Sequence, residues 1–389
     1  MTAYAIYRLP HEDHATLIRQ SEGEPAEYLS CAELNGRKGF VLAPFEVTAQ
    51  QPILVIRPDE VERVSLEERG KRKEERGKRK VESGNREALA TDRDARKWKE
   101  ERDYQLGNNL QQNYSPSSFH FPLSSKNNYA IDFANFHAQL VSGTFRKIVL
   151  ARCADEETPE AISPMQLFHR ACMLYPRMFI ALVSTAKSGC WLTATPEILL
   201  DGKAETWRTI ALAGTMKLEG EHLAGEGEKV TWSTKNIQEQ RIVATYITEC
   251  LERFTGEFHE EGPRTVRAAN LVHLRSDFTF SLPDNQHLGD LLHVLHPTPA
   301  VCGLPKRETF EFITHNEYTP RRYYSGFMGM LDPTAETHLY VSLRCMNIEG
   351  QRYHLYAGGG LLKDSQEELE WQETEAKLET MRGLLDIRT

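Results

Sequence analysis

Residues 355–381 read LYAGGGLLKDSQEELEWQETEAKLETM, and this stretch organises the reading of the whole chain. A strand-like run, Leu355–Ala357, enters a triple-glycine turn at Gly358, Gly359 and Gly360, and a helix is predicted to follow. Ser365 with Glu368 three residues later has the form of a capping box, which places the helix start there. At about 100° per residue, Glu370, Glu373 and Lys377 fall on one narrow stripe. Trp371, Leu378, Met381 and Leu385 form the apolar stripe beside it. A carboxylate on the flank of a buried face is costly unless it is paired or holds a cation. Such a stripe is how a helix presents oxygen ligands to a hard metal ion inside a cleft.

Toward the N-terminus, residues 1–60 read as strands and turns: YAIY, GFVLAPF and QPILVIRPD. From Val61 to Asp103 the composition changes to Lys, Arg, Glu and Asp, with EERGKRK twice in tandem (Glu67–Lys73, Glu74–Lys80). With few apolar side chains to bury, 61–115 is expected to be a charged, low-complexity insert or linker. Its interleaved acids nearly cancel its bases, which argues against a nucleic-acid arm, as does the net charge of -9 over 389 residues. No apolar run is long enough to span a bilayer, and Met1–Gln20 lacks a signal-peptide layout, so a cytoplasmic protein is expected. The seven cysteines are scattered without a C-x-x-C pair, which fits reduced, buried thiols better than disulfides or a thiolate zinc site. His287, His293 and His296 cluster too loosely for a metal centre.

From about Tyr129 the pattern is globular. Phe145–Cys153, Met178–Ser184, Leu339–Cys345 and Tyr353–Ala357 are strand-like, and Ser163-Pro164 opens a helix. A second helix is predicted over Asn236–Phe254, with Ile242, Val243, Tyr246, Ile247, Cys250, Leu251 and Phe254 on its buried face. Glu239 points the same way. Runs of strands with few long helices imply an α+β fold with antiparallel sheet. If the two glutamate-bearing helices face each other, Glu239 and Glu373 can share one divalent ion, with Asn236 and Glu370 a turn earlier as outer partners. Magnesium suits so few carboxylates, because it keeps several waters and leaves room for an anionic substrate. The competing reading is that these are solvated charges on amphipathic helices.

Several ordered blocks resemble the chorismate-utilising enzymes: KIVLAR (Lys147–Arg152), TPEILL (Thr195–Leu200), ALAGT (Ala211–Thr215), KNIQEQ (Lys235–Gln240) and LHPTPAVCGLP (Leu295–Pro305). YYSG (Tyr323–Gly326), LRC (Leu343–Cys345), AGGG and EWQET-x-x-K continue the series to the C-terminus. The resemblance implies an anthranilate synthase component I-like fold, in which two antiparallel sheets pack together with helices outside. Residues 116–389 would be the chorismate-binding catalytic domain and 1–60 the N-terminal part of the same fold. Lys147 aligns with the family's general base, a role a lysine fills only when partly neutral. Glu197 aligns with its general acid, which requires an apolar pocket that retains the proton. Glu239 and Glu373 match metal ligands, with Glu370 acting through water. Arg344, Tyr324 and Lys377 match residues that hold substrate carboxylates, and Gly214, Thr215, Gly358 and Gly360 match positions of close backbone approach.

Within the family, the HPTPAVCG block is similar to isochorismate synthases of menaquinone and siderophore pathways. Water is then the expected nucleophile and Mg2+ the cofactor, with no glutaminase subunit and a monomeric chain. Salicylate synthase is the nearest rival, followed by the anthranilate and aminodeoxychorismate synthases. A non-catalytic scaffold is the remaining one, although Lys147, Glu197 and the metal glutamates are all present.

Overall fold

A computed structural model describes residues 3–66, 125–217, 231–268 and 271–386. Two nine-stranded sheets organise these residues. The first runs from edge to edge through Gly303–Leu304, Lys147–Glu157, Arg352–Leu361, Cys345–Glu349, Gly189–Thr195, Phe179–Thr185, Tyr4–Arg8, His14–Arg19 and Glu60–Ser65. The second runs through Phe258–Ala268, Leu271–Phe280, Thr206–Lys217, Ile198–Lys203, Glu336–Val341, Phe327–Leu331, Gly39–Ala43, Ile53–Ile56 and Ala26–Tyr28. Every pairing is antiparallel. The expected α+β class holds, and the first 66 residues supply strands to both sheets.

The tandem EERGKRK repeat lies outside the described residues. The compositional break at residue 60 is not a structural break, because Glu60–Ser65 pairs with His14–Arg19. Its alternating charges suit a sheet edge, where one face and one side meet water.

The sheets pack face to face over Trp191, Phe40, Met328, Tyr356 and their neighbours. Phe179 of one sheet stacks on Tyr340 of the other with ring centroids 4.2 Å apart. Helices cover the outer faces, which explains strands such as Phe179–Thr185 that are buried on both sides. Among the described residues the α-helices are α1 (Lys126–Val141), α2 (Pro164–Leu174), α3 (Thr234–Leu251), α4 (Leu288–Leu295), α5 (Lys306–Asn316) and α6 (Glu367–Leu385). Ser163 and Pro164 open α2 as expected. Helix α3 begins two residues before its predicted start and stops three short of its predicted end, with Ile242, Val243, Tyr246, Ile247, Cys250 and Leu251 buried. All seven cysteines are free and buried. No described helix is long and apolar enough to cross a membrane.

Candidate active site

The triple glycine is not a turn. Gly358, Gly359 and Gly360 continue the strand Arg352–Leu361, opposite Ala151, Leu150 and Val149. Their role is close approach rather than unusual backbone angles. A Cβ on Gly360 would lie 2.1 Å from Glu239 Oε1 and 2.9 Å from Lys147 Cε. One on Gly358 would lie 2.7 Å from Tyr324 Oη, and one on Gly359 would meet Glu370 Oε2 at 3.3 Å and Glu373 Oε1 at 3.8 Å. The bare strand therefore forms a floor onto which helices α3 and α6 lower three carboxylates.

Each helix is fixed by local chemistry. Ser233 caps α3 by accepting the Asn236 N–H, and Gln240 ties the helix to the strand Thr206–Lys217 through Ala213 N and Ala211 O. Glu239 Oε2 accepts the Gly214 N–H at 3.1 Å. Gly214 sits in a β-bulge at φ +70, where a Cβ would press on Asn236. Helix α6 starts at Glu367, and the expected capping box does not form. Ser365 Oγ instead accepts the Leu362 N–H to close the preceding turn, and Glu368 pairs with Lys126 at the surface. On the apolar stripe, Leu378, Met381 and Leu384 are fully buried, worth about 1.5–3 kcal/mol each. Leu385 is only half-buried against the same core.

A lysine meets every one of these carboxylates. Lys147 is completely buried, with Nζ 3.0 Å from Glu239 Oε1. Lys377 Nζ lies 2.6 Å from Glu373 Oε1 and donates to Gly358 O at 2.8 Å. Lys235, in the KNIQEQ block but given no role by sequence, pairs with Glu370 Oε1. Glu370 is 2 % exposed, and its Oε2 has no hydrogen-bond partner. Burial, then the neighbouring Glu373, pushes its pKa up. A buried, unpartnered carboxylate oxygen beside two further glutamates is an all-oxygen donor set that fits magnesium. The oxygens of Glu239, Glu370 and Glu373 do not lie within 4.8 Å of one another as a set, since each is drawn to its own lysine.

Beside this network is a cavity of about 50 Å³, lined by Glu197, Glu239, Arg344, Tyr324 and Lys377 among others. Gly214, Thr215, Gly358 and Gly360 also line it, whereas Lys147, Glu370 and Glu373 do not. Glu197 occupies the link between strands Gly189–Thr195 and Ile198–Lys203 and is 2 % exposed. Burial pushes its carboxyl up to about 8, against the pull of Arg344, Lys147 and Lys377. It is held as an acid near neutral pH.

Arg344 is not on a strand, as LRC had suggested. It precedes Cys345–Glu349 in a bend, at φ +42. A bulky residue there is strained, and such strain concentrates at functional sites. Sequence reasoning missed His273, which lines the same cavity. Arg344 donates to its Nε2 at 3.0 Å, and Nδ1 lies 3.1 Å from Gly214 O. An arginine only donates, so Nε2 must accept and Nδ1 carries the proton. Burial lowers the His273 pKa well below its usual value, which keeps the ring neutral. The only sequence signal was a histidine at an inward position of an alternating strand.

The chain is 29 % identical over 244 residues to isochorismate synthase EntC of Escherichia coli, covering 62 % of each sequence. It therefore spans about three fifths of that relative's length. With isochorismate synthase DhbC of Bacillus subtilis it shares 28 % identity over 299 residues, 74 % of this chain and 73 % of the relative. The structure of MenF, the menaquinone-specific isochorismate synthase from Escherichia coli, superposes with a TM-score of 0.70 at 21 % identity, covering 99 % of this chain and 89 % of the other. That likeness shows a shared fold. Residues 81–386 match the model of the family described as chorismate binding enzyme, and the protein belongs to that family.

Proposed function

We propose that the protein is an isochorismate synthase, an isomerase that converts chorismate to isochorismate with Mg2+ bound. The observation that carries this reading is the buried Glu197, whose carboxyl burial pushes up to about 8, facing the same cavity as Arg344 and Lys377, with the amine of Lys147 behind Gly360. In the reaction, water attacks C2 of the chorismate ring, and Lys147 accepts the proton that the water loses. The ring double bonds shift and the C4 hydroxyl departs, protonated by Glu197. Atoms balance, because one water enters and one leaves.

Arg344 offers two parallel donors to a carboxylate, and His273 behind it holds the guanidinium in place. Tyr324, stacked on Tyr356, closes that side of the pocket. Glu239 and Glu373, with Glu370 through water, would hold magnesium, whose charge would anchor and neutralise the ring carboxylate. With Lys147 neutral, as a base must be, Lys235, Lys377 and Arg344 balance Glu239, Glu370 and Glu373 in formal charge. A divalent ion would then leave two positive charges to receive a dianion. The cavity has room for only a few waters, so substrate entry requires side chains around it to move. Ala300, in the HPTPAVCG block, lines the cavity and supports the water-using branch.

The test is to incubate purified protein with chorismate and magnesium and identify products by chromatography. Isochorismate is expected. Pyruvate released in step with chorismate loss would replace this reading with salicylate synthase, and no consumption of chorismate would overturn it.

A further inference from the structure

Further along the strands that carry Lys147 and the triple glycine, a second group of metal-ligating side chains converges. Strands Lys147–Glu157 and Arg352–Leu361 pair Cys153 with Tyr356 and Asp155 with His354. Side chains alternate along a strand, so Cys153 and Asp155 share one face, and their cross-strand partners project from that same face. One ligand atom from each of Cys153, Asp155 and His354 lies within 4.8 Å of the other two. His354 Nδ1 is 2.6 Å from Asp155 Oδ1, and its Nε2 is 3.6 Å from Glu349 Oε2 on the adjoining strand Cys345–Glu349. Cys153 and His354 are 1 % and 3 % exposed, while the Asp155 side chain, at 31 %, opens the cluster to solvent. None of these residues takes part in the proposed reaction.

We propose that Cys153, Asp155 and His354 form a transition-metal site suited to zinc, with Glu349 or a water as fourth ligand. The donor set is one sulfur, one nitrogen and one oxygen, which selects zinc over magnesium. A thiolate and a carboxylate carry two negative charges, so a divalent ion leaves the three-residue cluster neutral in its largely buried setting. Ligands at about 2.0–2.3 Å from a tetrahedral ion stand about 3.3–3.8 Å apart. The three ligand atoms, all within 4.8 Å of one another, bracket that spacing. The lack of a C-x-x-C pair excludes only sites built along the chain, and this one is built across strands. With Glu349 as fourth ligand, an ion here would pin three adjacent strands together at the end of the sheet away from Lys147. It would also brace Tyr356, the cross-strand partner of Cys153 and part of the cavity wall.

Cobalt titration of the chelator-stripped full chain tests the assignment. One equivalent of Co2+ should give a near-ultraviolet thiolate-to-metal absorption band, which an all-oxygen site cannot produce. The band should vanish in Cys153→Ser, and the exposed Asp155→Asn should weaken binding about tenfold with an unchanged circular dichroism spectrum. Zinc should raise the Tm of the wild type in proportion to log concentration and leave that of Cys153→Ser unmoved. Absence of the band in the wild type, or its persistence in Cys153→Ser, overturns the proposal. So does Asp155→Asn binding cobalt as tightly as the wild type.

Discussion

Replacing Glu197 by Gln separates a proton donor from a structural carboxyl, because its effects on stability and turnover run in opposite directions. The Glu197 carboxyl titrates at 4.5 when free and is pushed up to about 8 in the fold. Between those values the folded protein keeps a proton that the unfolded chain has lost. Wild-type stability therefore falls as pH rises through this window and stops falling above the folded value. Each pH unit inside the window removes about 1.4 kcal/mol, so the loss between about pH 6 and about pH 8.5 is on the order of 2.5 kcal/mol. Glutamine keeps the shape and has no such titration. Urea denaturation at the two pH values should show Glu197→Gln more stable than wild type, with the gap widening by about that amount. Chorismate turnover at saturating substrate should meanwhile drop about 10²–10⁴-fold, the usual contribution of a positioned acid. A variant that turns over within a few-fold of wild type, or a stability gap that stays flat with pH, refutes the assignment of Glu197 as the acid.

Lys147→Met should lower kcat by at least about 10²-fold, and the Glu239 carboxylate it leaves behind should cost about 3 kcal/mol in urea denaturation. Near-normal turnover would remove Lys147 as the base. Glu373→Gln should raise the magnesium concentration for half-maximal activity about tenfold or more, and an unchanged titration would discredit the metal site. Gly360→Ala should fold, because its backbone angles suit any residue, with an overpacking cost of about 1–3 kcal/mol. Its Cβ, 2.1 Å from Glu239 Oε1, should nevertheless cripple turnover, whereas Gly383→Ala, with no atom nearer than 3.5 Å, should not. Equal activity in the two variants would contradict the glycine floor.

Both glutamate helices were legible because periodicity reports which residues share a face. Glu239 lies on the margin of the stripe that buries Val243 and Ile247, and Glu370 and Glu373 flank Leu378 and Met381. Glu197 was marked by the resemblance, which implied an apolar pocket, and the fold buries it. Glycine was the weak point. GGG permits either a turn or close packing, and only tertiary neighbours decide between them. The capping box failed for a similar reason: Ser365 has two possible partners, and the turn at Leu362 takes it first. Arg344 looked like a strand residue because VSLRC has strand composition, yet its φ of +42 is imposed by surroundings the local pattern does not contain.

What a pattern cannot carry is the identity of the opposing face. Lys235 and Glu370 are 135 residues apart, and nothing in either helix announces the other. Three buried or half-buried carboxylates within one site would repel unless cations intervened, so the fold needs counter-charges whether or not a metal is bound. Lys147, Lys235 and Lys377 meet that need, and the pairing explains why the oxygens stand apart. A divalent ion that takes those glutamates would free the lysines. Two of them, Lys147 and Lys377, are those the proposed reaction uses as base and substrate anchor. Stability of the ion-free protein and readiness of its catalytic amines thus rest on one set of glutamates, which is why a change at Glu239 or Glu373 should disturb both.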